Sequence, residues 1–178
     1  MLKTLRQIAA VGILTEAPPQ ADDSLRVRDA LQARILAVLG RALCIRAVDA
    51  GSCNGCELEI QALNNPLYNL EGLGIRFVAS PRHADLLLVT GPVSKHMEVA
   101  LRRTYEATPD PKLVVAVGDC GCTGGIFGES YASRGRVSNV IPVDVAVPGC
   151  PPSPTRLLTG ILTAVESPHL SQVVGRRE

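Results

Sequence analysis

Lys112-Leu-Val-Val-Ala-Val117 runs without a break into Gly118-Asp-Cys-Gly-Cys-Thr-Gly-Gly125. The first half is a strand with no polar alternation, the pattern of a strand covered on both faces. The second half is a glycine-rich turn carrying two cysteines at that strand's carboxyl end. The same sequence of events occurs twice more. Leu43 to Val48 leads into Gly51-Ser-Cys-Asn-Gly-Cys-Glu57, and Val143 to Val147 leads into Pro148-Gly-Cys-Pro-Pro152. Ile75 to Ala79 and Asp85 to Thr90 are two further strand-like runs. Helical periodicity is expected from Cys56 to Leu63, from Val93 to Ala107 and from Thr155 to Val165. Apolar strands separated by helices predict an α/β domain with a mainly parallel, doubly wound sheet.

Working outward, Leu31, Ile35, Val38, Leu39 and Ala42 predict one more helix ahead of the first strand, with Ser24 as its N-cap. Residues 1–23 read as a docking arm, in which Leu2, Leu5, Ile8 and Ala9 share one helical face before Pro18-Pro19. The domain proper then spans 24–178. No internal repeat is visible. The chain has 178 residues, 46% of them hydrophobic and 20% charged, enough to bury one core. Its 18 basic and 17 acidic side chains leave a net charge of +1, and only 3% of residues are aromatic. Neither an electrostatic footprint for nucleic acid nor a base-stacking platform is present. The longest apolar runs are too short to span a bilayer, and the N-terminus lacks the pattern of a secretory signal. A cytoplasmic location with reduced cysteines is therefore expected.

Six cysteines carry the chemical information: Cys44, Cys53, Cys56, Cys120, Cys122 and Cys150. Three groups of them fall at carboxyl ends of predicted parallel strands, the edge where open α/β sheets place their ligand sites. Residues distant in sequence are thereby expected to meet in one crevice. Glycines at 51, 55, 118, 121, 124, 125 and 149 let backbone N–H groups approach sulfur closely. Proline after Cys150 matches the habit of bacterial iron–sulfur motifs. Four thiolates suit an iron–sulfur cluster or a structural zinc, but a zinc ribbon normally supplies two Cys-x-x-Cys pairs and only one is present. Cys44 reads as a small buried hydrophobe. Spacing alone leaves Cys122 competing with Cys120. A dithiol redox site at Cys53 and Cys56 would leave Cys120 and Cys150 without a role.

Taken together, Gly51-Ser-Cys53-Asn-Gly-Cys56-Glu, Gly118-Asp-Cys120-x-x-x-Gly-Gly125-Ile-Phe and Pro148-Gly-Cys150-Pro-Pro resemble the small subunits of nickel–iron hydrogenases. The likeness covers about Arg41 to Glu166, including Ser80-Pro-Arg-His-Ala-Asp-Leu-Leu-Leu-Val-Thr-Gly91. It is strongest to the energy-converting and formate-hydrogenlyase type, within a wider family that includes the B subunit of NADH–quinone oxidoreductase. The resemblance implies a flavodoxin-like fold and one 4Fe–4S cluster held by Cys53, Cys56, Cys120 and Cys150, with the family motif selecting Cys120 over Cys122. It implies an electron-transfer subunit of an oxidoreductase complex on the cytoplasmic face of a membrane, with no substrate chemistry of its own. Its implied partners are a nickel–iron hydrogenase large subunit, a ferredoxin-like multi-cluster subunit and membrane subunits.

Quinone-reductase B subunits carry adjacent cysteines at the first motif, whereas Cys53-Asn-Gly-Cys56 has the hydrogenase form. Uptake hydrogenase small subunits add an export signal and a C-terminal cluster domain. Ending at Glu178 with neither, the chain is expected to hold a single cluster. The alternatives are a module of a quinone-reducing respiratory complex, akin to its B subunit and without nickel, and, from another class, a zinc-stapled structural subunit.

The remaining candidates have plainer readings. Glu57 and Glu59 follow the first motif, and in preference to a place near a proton path they are expected to be exposed carboxylates favoured by a helix dipole. Arg82 and His83 are either solvated or near the cysteine site, and His96 and His169 belong to no metal motif. Gly121-Cys-Thr-Gly124-Gly125 lacks the phosphate-cradling signatures, and no hydrolase elbow is visible.

Overall fold

The structure, a computed structural model, describes residues 23–167 together with Leu2, Lys3 and Arg6. The expected docking arm apart from those residues, the side chains of Ser24 and Val38, and His169 lie outside the described residues; the first helix already includes Asp23, so Ser24 lies within it and does not cap it.

Five parallel strands form one sheet: β1 (Leu43–Asp49), β2 (Ile75–Phe77), β3 (Leu86–Thr90), β4 (Leu113–Val117) and β5 (Val145–Val147), in the order β2-β1-β3-β4-β5. This is the expected doubly wound, flavodoxin-like arrangement, in which the strand order reverses between β1 and β3. Every residue of β3 and β4 is buried. Alternate side chains feed two separate cores. Leu86, Leu88, Leu113, Val115 and Val117 join one, while Leu87, Val89, Val114 and Ala116 join the other. The absence of polar alternation in Lys112 to Val117 follows directly from this two-sided burial.

The first core is covered by α1 (Asp23–Leu39), α2 (Gly55–Ala62) and α5 (Pro154–Glu166), with α1 packed on α5. Leu31 and Ile35 are fully buried there. The helix stops at Leu39, and Gly40 follows with φ +61°, leaving Ala42 exposed rather than on the helical face. Glycine at that left-handed position ends the helix at a point the apolar spacing overran. The second core is covered by α3 (Lys95–Ala107), through Leu101, and by the 3-10 turn Val137–Asn139. A further short helix, α4 (Gly118–Thr123), occupies what the sequence presents as a glycine loop.

At the amino ends of the strands, Asp85 closes the sheet. Its carboxylate takes two hydrogen bonds from Arg41, at 2.9 and 2.5 Å, and a third from the Cys44 amide at 3.0 Å. Its own backbone bridges β1 and β4, through Cys44 O and Leu113 N. The Arg41 guanidinium is pushed above its ordinary range by that hydrogen bond. Asp85→Ala would leave the buried Cys44 amide without an acceptor and is expected to cost about 2 kcal/mol. Asp85→Asn retains an acceptor and should cost less, as read from urea denaturation followed by circular dichroism.

Candidate functional site

The loops after β1, β4 and β5 meet at the carboxyl edge. Past β1, Asp49 Oδ1 accepts hydrogen bonds from the Gly51 and Ser52 amides, both at 2.8 Å, and swings the chain off the strand. Asn54 is left-handed at φ 72°, and α2 begins at the next residue. Cys53 is thus exposed ahead of the helix, whereas Cys56, in its first turn, is half-buried. A Cβ at position 118 would lie 2.6 Å from Cys56 Sγ, so glycine there, at φ +81°, leaves the room that thiol occupies.

The β4 and β5 loops are stapled to one another. The Asp119 amide donates to Gly149 O at 2.9 Å, and the Gly149 amide donates to Asp119 Oδ1 at 2.8 Å. Gly125 folds back on Cys120, where an added Cβ would come within 2.9 Å of Sγ. At Gly55, the corresponding position lies 3.6 Å from Cys53 Sγ and 4.0 Å from the Pro151 ring. The β1 and β5 loops are therefore neighbours as well.

The four expected site cysteines feel one another's charge. Burial pushes the Cys56 thiol up to about 12, and Glu57, Cys53, Cys120 and Cys150 each add to the rise. Burial also raises Cys120, with Cys150, Cys53 and Asp119 contributing. The other two cysteines stand apart. Cys122 Sγ turns into the second core and donates to Ala116 O at 3.5 Å, its thiol raised to about 11 by burial. Cys44 is buried in β1, with Arg76 Nη2 at 3.8 Å from its sulfur.

Gathering cysteine loops at one edge is not the same as building a metal site. Among the described residues, no group of three or more His, Cys, Asp or Glu side chains could hold a metal ion. This overturns the expected 4Fe–4S cluster on Cys53, Cys56, Cys120 and Cys150, and with it the cluster-based electron-transfer function and the metal-binding assignment. The zinc-stapled alternative falls on the same ground. The physical reason lies in how the thiols are placed: Cys53 and Cys150 are exposed, Cys56 is tucked against Gly118, and Cys120 against Gly125. Metal ligation requires thiolates, and burial disfavours the thiolate at Cys56 and Cys120.

One residue of the edge departs from its plain sequence reading. Glu57 is not an exposed carboxylate: its Oε1 accepts a hydrogen bond from Thr90 Oγ1, and its Oε2 is buried without a hydrogen-bond partner among the described residues. Thr90, itself buried, lies 3.3 Å from Val48 O through the same hydroxyl. The signal was a threonine closing the otherwise apolar run Leu86-Leu-Leu-Val89, a polar side chain that needs a partner at the sheet's end. Glu59 is half-buried. Arg82 and His83 are exposed in a 3-10 turn leading to the amino end of β3, at the other end of the strand from the cysteines.

A parallel α/β sheet with cysteine loops stapled along its carboxyl edge is the arrangement on which the matches to known proteins, subunits of oxidoreductase-type complexes among them, bear. Residues 53–164 match the family described as NADH ubiquinone oxidoreductase, 20 Kd subunit, and the chain belongs to that family. It is 46% identical over 134 residues to the probable membrane-bound hydrogenase subunit mbhJ of Pyrococcus furiosus, covering 75% of this chain and 80% of that one. Formate hydrogenlyase subunit 7 of Escherichia coli is 42% identical over 83% of this chain, which spans 57% of that relative's length. The NADH-quinone oxidoreductase B subunit of Desulfovibrio desulfuricans is 45% identical over 71% of this chain and 68% of its own. Among solved structures, a chain of the membrane-bound sulfane sulfur reductase, an archaeal respiratory membrane complex, superposes with a TM-score of 0.63 at 36% identity. The match covers 78% of this chain and 74% of that one. Homology thus places the chain in hydrogenase- and oxidoreductase-type complexes.

Gly118→Ala is expected to expel Cys56 from its niche and to cost about 1–2 kcal/mol from the left-handed backbone alone, measured as a lowered thermal midpoint. Because raised thiols stay protonated, alkylation of Cys56 and Cys122 by iodoacetamide should keep accelerating between pH 8 and 10. A rate that levels near pH 9, as for an ordinary thiol, would contradict the assigned burial.

Proposed function

We propose that this chain is the small, non-spanning subunit of a membrane-associated oxidoreductase complex of the hydrogenase type. In this reading it sits on the cytoplasmic face of the membrane with its cysteine edge turned toward the catalytic subunit. Its partners are a nickel–iron hydrogenase-type large subunit, a ferredoxin-like subunit and membrane-embedded subunits. Cys53, Cys56, Cys120 and Cys150 are the functional side chains, and substrate turnover belongs to the partner.

The observation that carries the proposal is the stapled edge itself: three strand-end loops, tied by the reciprocal Asp119–Gly149 hydrogen bonds, bring four thiols into one electrostatic neighbourhood. Homology to subunits of membrane-bound complexes supports the setting. No helix among the described residues is long and apolar enough to cross a membrane, so attachment falls to other subunits. The hydrogenase type is favoured over the quinone-reducing type by the two residues separating Cys53 from Cys56.

The test is a serine scan in the complex isolated under anaerobic conditions, assayed by hydrogen-dependent dye reduction and by quinone reduction. Serine at 53, 56, 120 or 150 is expected to lower turnover at least about tenfold, about 1.4 kcal/mol in barrier, with subunit composition unchanged. Cys44→Ser and Cys122→Ser should retain turnover. Full activity in the first four variants would sink the assignment, and turnover with quinone but not hydrogen would move the chain to the other branch of its family.

A further inference from the structure

The segment following Cys120 presents apolar side chains to solvent. Ile126 is 94% exposed, Tyr131 92% and Phe127 55%. The chain has only two phenylalanines and three tyrosines, and one of each stands here. Three large apolar side chains exposed within six residues of chain stand out from the singly scattered ones that a monomeric surface tolerates.

The segment that carries them is firmly pinned from below. The buried Ser133 hydroxyl donates to Pro92 O at 2.8 Å and accepts the Gly135 amide at 2.9 Å. The Arg134 amide donates to Val93 O at 2.8 Å, and the Lys95 amide to Ala132 O at 2.9 Å. Arg134 Nε reaches Glu98 at 2.6 Å, and Asn139 ties Glu129 to Arg134 O at 2.6 and 2.7 Å. Anchoring of this kind lowers the ordering cost on association, and exposed aromatic side chains on a preorganised support are the usual anchors of an interface.

We infer that Ile126, Phe127 and Tyr131 form the anchor by which the chain docks into an apolar, acid-rimmed pocket on a partner subunit of its own complex. The acidic rim follows from charge. Lys95 and Arg136, flanking the segment, make no ion pair among the described residues, and Arg134 and Arg102 share the single carboxylate of Glu98, which leaves this surface positive. The location follows from continuity. Gly125 abuts Cys120, so the anchor adjoins the proposed cysteine edge and one partner surface covers both. The inference rests on the reading that the chain works within a multi-subunit complex, but it fails separately, because it concerns assembly rather than turnover.

The experiment isolates the native complex in mild detergent through a tag on this chain. Replacing Ile126, Phe127 and Tyr131 together by alanine is expected to lower recovery of the catalytic subunit at least about tenfold, the effect of losing a few anchor side chains. Circular dichroism and the thermal midpoint of the free chain should not move, since these side chains support no core. Leu36→Ala, which removes an exposed apolar side chain from α1, should leave recovery intact. Lys95→Glu with Arg136→Glu should weaken recovery and flatten its dependence on salt. A photo-crosslinking phenylalanine analogue at position 131 should capture a single subunit of the complex. Unchanged recovery in the triple variant would overturn the inference, as would crosslinking to lipid or to a second copy of this chain. Serine variants of the four site cysteines that assemble normally but do not turn over would sustain it; ones that assemble and turn over would sink the functional proposal alone.

Discussion

Burial of β3 and β4 on both faces is the constraint from which the rest of the molecule follows. A strand in that position has no solvent side, so its polar groups must be paired in the ladder and its polar side chains expelled to its ends. Four aspartates complete the hydrogen bonding there. Asp85 serves the Cys44 amide and Asp144 the Val114 amide at the amino end, the latter at 2.7 Å. Asp49 serves Gly51 and Ser52, and Asp119 serves Gly149, at the carboxyl end. Short carboxylates suit the task because they accept several N–H groups at once while remaining close to their own backbone.

The two ends are nonetheless built differently. The amino end is closed by a side-chain ion pair, Arg41 with Asp85, whereas the carboxyl end is built largely from glycine. Gly91 allows a backbone-to-backbone approach at the point where strand order reverses, since a Cβ there would stand 2.7 Å from the Ser52 amide nitrogen. Space is thereby reserved for sulfur and for the main chain. An edge so lined can bring several loops together, and the same sheet order places ligand sites at that edge in other doubly wound proteins.

Strand periodicity and the placement of cysteines after strands are local properties, and both were legible in the sequence. So was the meeting of three loops, because parallel strands must deliver their carboxyl ends to one edge. What failed to read through is the fine placement of side chains. Loop convergence says which thiols become neighbours and leaves open whether they close on a common centre; here they do not. Cys120 and Cys122 could not be separated by spacing because α4 is a glycine-bearing helix of six residues with no apolar pattern to announce it. Once it forms, residues two apart lie about 200° apart around its axis, and Cys122 is carried into the core. Glu57 was misread for a related reason. An acid in a first helical turn satisfies the dipole argument by itself, and its inward course is set by Thr90, far along the chain.

The sheet's outermost strands, β2 and β5, are only three residues long, and each exposes its middle residue, Arg76 and Ala146. Long bare strand edges invite foreign chains to add on in register, and brevity with an outward charge is a known defence. A subunit synthesised apart from its complex must persist for a time with its docking surfaces uncovered. Clipped margins leave little bare backbone by which, in that orphan state, it could recruit copies of itself into fibrils.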